Sequence, residues 1–331
     1  MAVVDLGARR PVVPHRAPVS GRYRVSGSVF VNGTRFETSG SVTSNDGLER
    51  EDQLRKGMIL KVQGDWEDEG EGRADRIIYD DTLRGPLTAM NWDEVARAGS
   101  LTMLGQTISL DSRTVFRGAT PTAIAANPDQ FRGRVSAWRL DDGSFRASFV
   151  GVRAIGSDFD DVNEVELEGV VANLDTSAET FTINGAQIDY TSAVGDDDFS
   201  IDDLENGLVV EVEGVLAGTI VMAQQIDKEE DLFGDDDDVE ISGNVSDFDP
   251  LNRQFSVNGV NVSFDNDTEF DDLRESSLAD GVFVKVEGVF RNGLLLAEEI
   301  EAGNPMPSWK AVLNRLIWQE KPWSLAVFAS S

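Results

Sequence analysis

Thr180-Phe181-Thr182-Ile183-Asn184-Gly185-Ala186-Gln187-Ile188-Asp189-Tyr190 decides the fold, and the chain carries the pattern twice. At an offset of 74 residues, Gln254-Phe255-Ser256-Val257-Asn258-Gly259-Val260-Asn261-Val262-Ser263-Phe264 repeats it. Apolar and polar residues alternate on both sides of an Asn-Gly pair, which is the period of a half-buried strand. Asn-Gly supplies the two positive φ angles of a type I′ turn, so each stretch reads as a β-hairpin.

Working outward, residues 164–227 align without a gap on 238–301, with 19 of 64 positions identical. The identities include Val165-Glu166, Gly169, Phe181, Gly207 and the run Val212-Glu213-Gly214-Val215, matched by Val286-Glu287-Gly288-Val289. These are turn and core positions, so the two stretches are copies of one domain. Val165 to Val171 alternates apolar and polar residues before the hairpin, as a half-buried strand does. Phe199 to Leu204 offers one or two helical turns. Val210 and Val212 then point one way, Glu211 and Glu213 the other, and Ile220 to Ile226 forms a last strand.

Fainter copies precede these. Gly57 to Gly64, followed by Ala74 and Ile77, repeats the fourth-strand pattern after a hairpin at Val31-Asn32-Gly33. The strand before that hairpin is shortened. A drifted copy runs from Arg84-Gly85-Pro86-Leu87 through Leu104-Gly105 to Val135-Ser136-Ala137 and Ala147. The order strand, strand, strand, helical turn, strand, strand predicts an all-β chain: a tandem array of small OB-like five- to six-stranded β-barrels with short helical turns. Closure would also remove exposed edges. The expected divisions are a basic disordered arm over 1–22, a partial repeat over 23–80, a degenerate one over 81–155, clear repeats over 164–227 and 238–301, and a tail over 302–331. Short acidic linkers string the repeats together. The tail is expected to hold a short amphipathic C-terminal helix from Ser308, with Val312 and Leu316 on one face.

The net charge of −31 is unevenly spread. Residues 1–24 carry +4 and 302–331 carry +2, whereas 156–301 hold 39 acidic residues against five basic ones. Such a field repels phosphate backbones, so nucleic acid is excluded as a partner of the body, and solubility is the plainest use of the charge. No window approaches the ~20 apolar residues of a membrane span. Met1 to Leu6 is interrupted by Asp5 and followed by Arg9 and Arg10, so no signal peptide is visible.

Cysteine is absent and His15, in the proline-containing arm, is the only histidine. A Cys-His pair and zinc sites of several imidazoles are thereby excluded, and a Ser-His-Asp triad would have to use the arm. No phosphate loop and no dinucleotide fingerprint occurs. Carboxylates remain for acid-base work, but among 60 acidic residues no pair stands out. Calcium is the one cofactor the sequence raises, through Asp196, Asp197, Asp198, Asp235, Asp236, Asp237, Asp238, Asp265 and Asp267. Calcium takes roughly six to eight oxygens on a curling loop, and none of these clusters matches a helix-loop-helix site. Hydrated linker is the simpler reading of Asp235 to Asp238. The aromatic pairs Phe181 and Tyr190, Phe255 and Phe264, and Phe30 and Phe36 alternate in phase with the core valines and read as core, with a ligand-binding face as the other use.

At Ser28 to Gly33, Gly57 to Gly64, Arg84 to Leu87, Thr114-Val115-Phe116 and the two clear repeats, the chain resembles a bacterial family known only as domain of unknown function 5666. The resemblance implies tandem β-barrel domains in an exported or envelope-associated protein, with no catalytic residues assigned. It makes the protein secreted or periplasmic; the absent signal peptide keeps a cytoplasmic location as the alternative. The expectation is therefore a non-enzymatic modular binding or structural protein of the bacterial cell envelope or extracellular space, with a protein or polysaccharide partner. The alternatives are a filament or surface-assembly subunit, and a secreted carbohydrate-active hydrolase using carboxylates.

Overall fold

The computed structural model describes residues 3–6, 27–31, 34–43, 53–67, 71–79, 81–140, 143–155, 164–195, 199–228, 233 and 237–302. His15, the Asn32-Gly33 turn and the tail with its expected helix lie outside the described residues.

The alternation read in the sequence becomes strands throughout. A short β1 (Val3–Leu6) comes first. Unit 1 follows with β2 (Gly27–Val31), β3 (Thr34–Thr38), β4 (Leu60–Glu67) and β5 (Glu71–Tyr79). Unit 2 holds β6 (Leu83–Asp93), β7 (Ala98–Met103), β8 (Gln106–Leu110), β9 (Val115–Arg117), helix α1 (Pro121–Ala126), β10 (Phe131–Arg139) and β11 (Phe145–Ala154). Unit 3 holds β12 (Glu164–Asp175), β13 (Thr180–Ile183), β14 (Ala186–Asp189), β15 (Val194–Gly195), β16 (Val209–Ala217) and β17 (Ile220–Lys228). Unit 4 holds β18 (Asp238–Asp249), β19 (Gln254–Val257), β20 (Val260–Ser263), β21 (Glu269–Asp271), β22 (Phe283–Arg291) and β23 (Leu294–Ala302). Helix α1 starts where Thr120 accepts a hydrogen bond from the Ala123 N–H and Pro121 needs no donor. Single helical turns, Ile201–Asp203 and Glu275–Ser277, take its place in units 3 and 4.

In units 2, 3 and 4 the pairings form a ring. In unit 3, β12 pairs β13, β13 pairs β14, β14 lies parallel to β17, β17 pairs β16, and β16 returns to β12. The ring closes because the first strand is long enough to serve two partners. Residues 164–170 of β12 pair β16, and Val171 onward pairs β13. The Val-Glu-Gly-Val run has a local reason as well. The register shifts between Glu213 and Gly214, where a Cβ would lie 2.2 Å from the Met222 carbonyl, and only glycine lets the last strand approach so closely. The hairpin turns adopt the expected left-handed pair at Asn184-Gly185 and Asn258-Gly259. Leu104 takes the same strained conformation in unit 2 and is retained because its side chain is buried against Gly85.

The expected string of separate OB-like barrels on acidic linkers is corrected. β6 pairs β12, which merges units 2 and 3 into one 12-stranded sheet. β1 lies parallel to β4 and antiparallel to β18, which merges units 1 and 4 into an 11-stranded sheet. The repeats thus continue one another's sheets, as successive coils of a β-solenoid do. The cause is the outer edge of each long first strand, whose backbone groups need partners beyond the ring. Hydrophobic packing crosses the same boundaries. One core cluster spans units 2 and 3, Trp138 of unit 2 sits in the core of unit 4, and Phe149 sits in that of unit 1. Unit 2 is therefore a hub. Glu166 and Glu211, on the polar side of the alternation, are both buried.

Candidate functional site

The residues most able to do chemistry gather at the joints between repeats. Unit 3 has fifteen acidic residues over 164–227 and no lysine or arginine, whereas residues 81–155 carry nine arginines. In β12 and β16, Glu166 stands opposite Glu213 and Glu168 opposite Glu211, an arrangement of like charges that destabilises a bare sheet. Unit 2 supplies the remedy. Arg84 on β6 reaches Glu166 at 2.8 Å and Glu164 at 3.9 Å, and Arg139 on β10 reaches Glu168 at 2.9 Å. Arg132 donates to the Glu164 carbonyl. On the side of unit 1, Tyr79 donates to Asp81, which also takes Arg134 at 2.8 Å, and Ser136 lies 3.4 Å from the same hydroxyl. Burial, followed by the Asp81 charge, pushes the Tyr79 phenol well above its ordinary range. Toward unit 4, Arg146 donates to Asn258 and Arg113 stacks 4.5 Å over the Phe283 ring.

Unit 4 carries a second constellation on β18, β21, β22 and β23. The ladder sets Asp271 beside Glu301 and Lys285 opposite Glu301. Carboxylate oxygens of Asp271, Glu299 and Glu301 lie within 4.8 Å of one another, the single such group among the described residues. Lys285 sits among them, 3.1 Å from Glu301 and 3.5 Å from Glu240. Burial raises the Glu240 carboxyl to about 7 despite the neighbouring ammonium. Burial and then the Glu301 charge raise Glu299. This surface is built to hold a positive charge, and the Lys285 ammonium supplies one.

The sequence candidates fall elsewhere. Asp196, Asp197, Asp198, Asp235 and Asp236 lie outside the described residues. Asp265 accepts from the Asp267 N–H at 2.8 Å, a turn-forming role, and both are exposed. The Asp237 carbonyl accepts from Phe290, and Asp238 opens β18. None of the described candidates joins the Asp271 group. The repeat alignment held a pointer to it, since Asp271 stands at the place of Asp197 in the sister repeat. Two of the aromatic pairs are core, with ring centroids 5.7 Å apart for Phe181 and Tyr190 and 6.0 Å for Phe255 and Phe264, and Phe36 is buried, but the expectation is corrected for Phe30, which is exposed on the other face of β2.

Fold and joints together define a protein of tandem small all-β repeats, fused through shared sheets and ion-paired boundaries. The family model "Domain of unknown function (DUF5666)" matches residues 84–151, 168–227 and 242–301, so more than half of the chain is covered and the chain belongs to that family. The matches include the drifted unit 2 as well as the two clear repeats. No curated protein and no solved structure matches it. No helix of the described residues is long and apolar enough to cross a membrane.

Proposed function

We propose that this chain is a non-enzymatic modular scaffold or binding protein of the bacterial cell envelope or extracellular space, with a protein or polysaccharide partner. The ring order first, second, third, fifth, fourth supports a finer reading of each closed unit as an OB-like barrel within the continuous sheets. The carrying observation is the employment of the buried acids. Glu166 takes its cation, Arg84, from another repeat, Asp81 is paired with Arg134 where Tyr79 of unit 1 meets unit 2, and Glu240 is paired with Lys285 inside unit 4, uses that hold the repeats and their joints in a fixed relation. A general acid or nucleophile instead needs a carboxyl turned to a substrate cleft.

The test is turnover on a panel of glycans together with calcium titration by calorimetry. No turnover and no calcium heat are expected. Hydrolysis abolished by Asp271→Asn or Glu299→Gln would sink the scaffold reading. Fractionation of producing cells checks the compartment, and recovery in the cytoplasm alone would overturn the envelope assignment.

A further inference from the structure

We propose that the outer edge of β2 takes up an extended segment of a partner protein, as an added strand running antiparallel to β2. The proposal rests on the binding reading above and gives its protein partner a form. In units 2, 3 and 4 one long first strand pairs both the fourth strand and the second, which closes the ring. In unit 1 the path runs β4, β5, β3, β2 and ends there. β1 fills only the half beside β4, with Val4 opposite Val62 where Leu167 stands opposite Val212, and it lies parallel to β4 rather than antiparallel. Among the described residues nothing pairs β2 on the side away from β3, and no other strand of the four units is left so.

The sister repeats show which groups face that side. Counted back from the turn glycine, Phe30 and Ser28 hold the places of Thr182 and Thr180, which pair Ala172 and Asp175 of their first strand. The backbone N–H and C=O groups of Phe30 and Ser28 therefore point away from β3. The core beneath is closed without a first strand, since Val31 and Phe36 are each 1% exposed and Phe149 of unit 2 packs among them. At the place of Phe30 the other units carry Thr102, Thr182 and Ser256, and the Thr182 hydroxyl donates to the Ala172 carbonyl at 3.0 Å. Phe30 instead presents a phenyl ring that is 71% exposed. An apolar ring beside unpaired backbone groups invites strand pairing. An incoming strand gains main-chain hydrogen bonds from the edge and a cross-strand apolar contact from the ring.

The rest of the chain selects the occupant. Its own described first strands are engaged inside their rings. A net charge of −31 sets two copies against each other and favours a segment that is basic. Opposite Phe30 a β-branched side chain packs well. The partner segment is therefore extended, basic and rich in valine, isoleucine or threonine.

The test titrates the isotope-labelled full chain, followed by NMR, with the capped peptide Lys-Thr-Val-Thr-Val-Lys. Saturable shifts of the Ser28 and Phe30 amides are expected, with slower hydrogen exchange at both. The same peptide with its central amides N-methylated keeps its charge and side chains but cannot pair a strand, and should leave both amides unmoved. Phe30→Thr installs the sister residue at an exposed position and should weaken binding by roughly two- to fivefold. Binding that survives N-methylation overturns the proposal, as does an absence of shifts. Ser28 and Phe30 amides already protected in the free chain overturn it too: the cover is this chain itself at a mass of 36.1 kDa, and a second copy at twice that mass. Failure of the peptide leaves the non-enzymatic reading standing, whereas glycan hydrolysis sinks that reading and leaves this edge as it is.

Discussion

Gly185 and Gly259 occupy one position of sister turns, with φ of 91° and 81°, yet their surroundings differ. Nothing lies within 4 Å of where a Cβ would sit on Gly185, whereas on Gly259 it would lie 2.1 Å from the Arg139 carbonyl of unit 2. Gly185→Ala should therefore cost about 1 kcal/mol, the left-handed penalty alone. Gly259→Ala should cost roughly 2–4 kcal/mol, because the turn must also back away from unit 2. Equal costs in urea unfolding would mean that the contact between units 2 and 4 is absent in solution. Glu240 makes a second residue-level prediction. Its carboxyl, about 7 when folded, has an ordinary value of 4.5, so the folded state holds the proton more tightly. The stability it contributes is full below 4.5 and is lost as pH rises through about 7. Glu240→Gln should match the parent near pH 4 and exceed it near pH 8, by on the order of 3 kcal/mol. A difference that does not vary with pH would refute this.

At the scale of elements, the pairing of β6 with β12 brings Arg84 into an acidic sheet face, with Arg132 and Arg139 beside it. Glu166 is 0% exposed and Arg84 12%, so Arg84→Ala strands a buried charge. The expected loss is about 3 kcal/mol, whereas Arg84→Met with Glu166→Leu should be near neutral, because it removes both desolvation penalties together. Chemical denaturation of the three chains checks the pattern, and a double variant as unstable as the single one would contradict it. Two further arginines of unit 2 stand at its other boundaries, Arg134 on Asp81 beside Tyr79 of unit 1 and Arg146 on Asn258 of unit 4.

For the whole molecule, the hub arrangement predicts cooperativity. Repeats joined only by linkers would melt one by one, but here Trp138 and Phe149 of unit 2 are core residues of units 4 and 1. Scanning calorimetry should show a single transition, and Trp138→Ala should lower it while costing roughly 3–5 kcal/mol. A profile split into separate transitions, with only one of them shifted by Trp138→Ala, would return the molecule to independent repeats.

The sequence by itself determined the strands, their turns and the repeat, because those depend on contacts a few residues apart. Asn184-Gly185 dictates its hairpin, and the alternation from Val165 to Val171 dictates which side chains enter the ring. It also excluded cysteine chemistry and showed the acidic half of the chain. Only the tertiary structure decided what those acids face. Glu166 reads as a solvated residue in its own strand and becomes a buried one when β6 arrives from 82 positions away. The Asp271, Glu299 and Glu301 group likewise exists only through the register of β21 on β23. Local alternation fixes the inside of a strand, but its outside is water or protein according to long-range pairing, which no local pattern encodes.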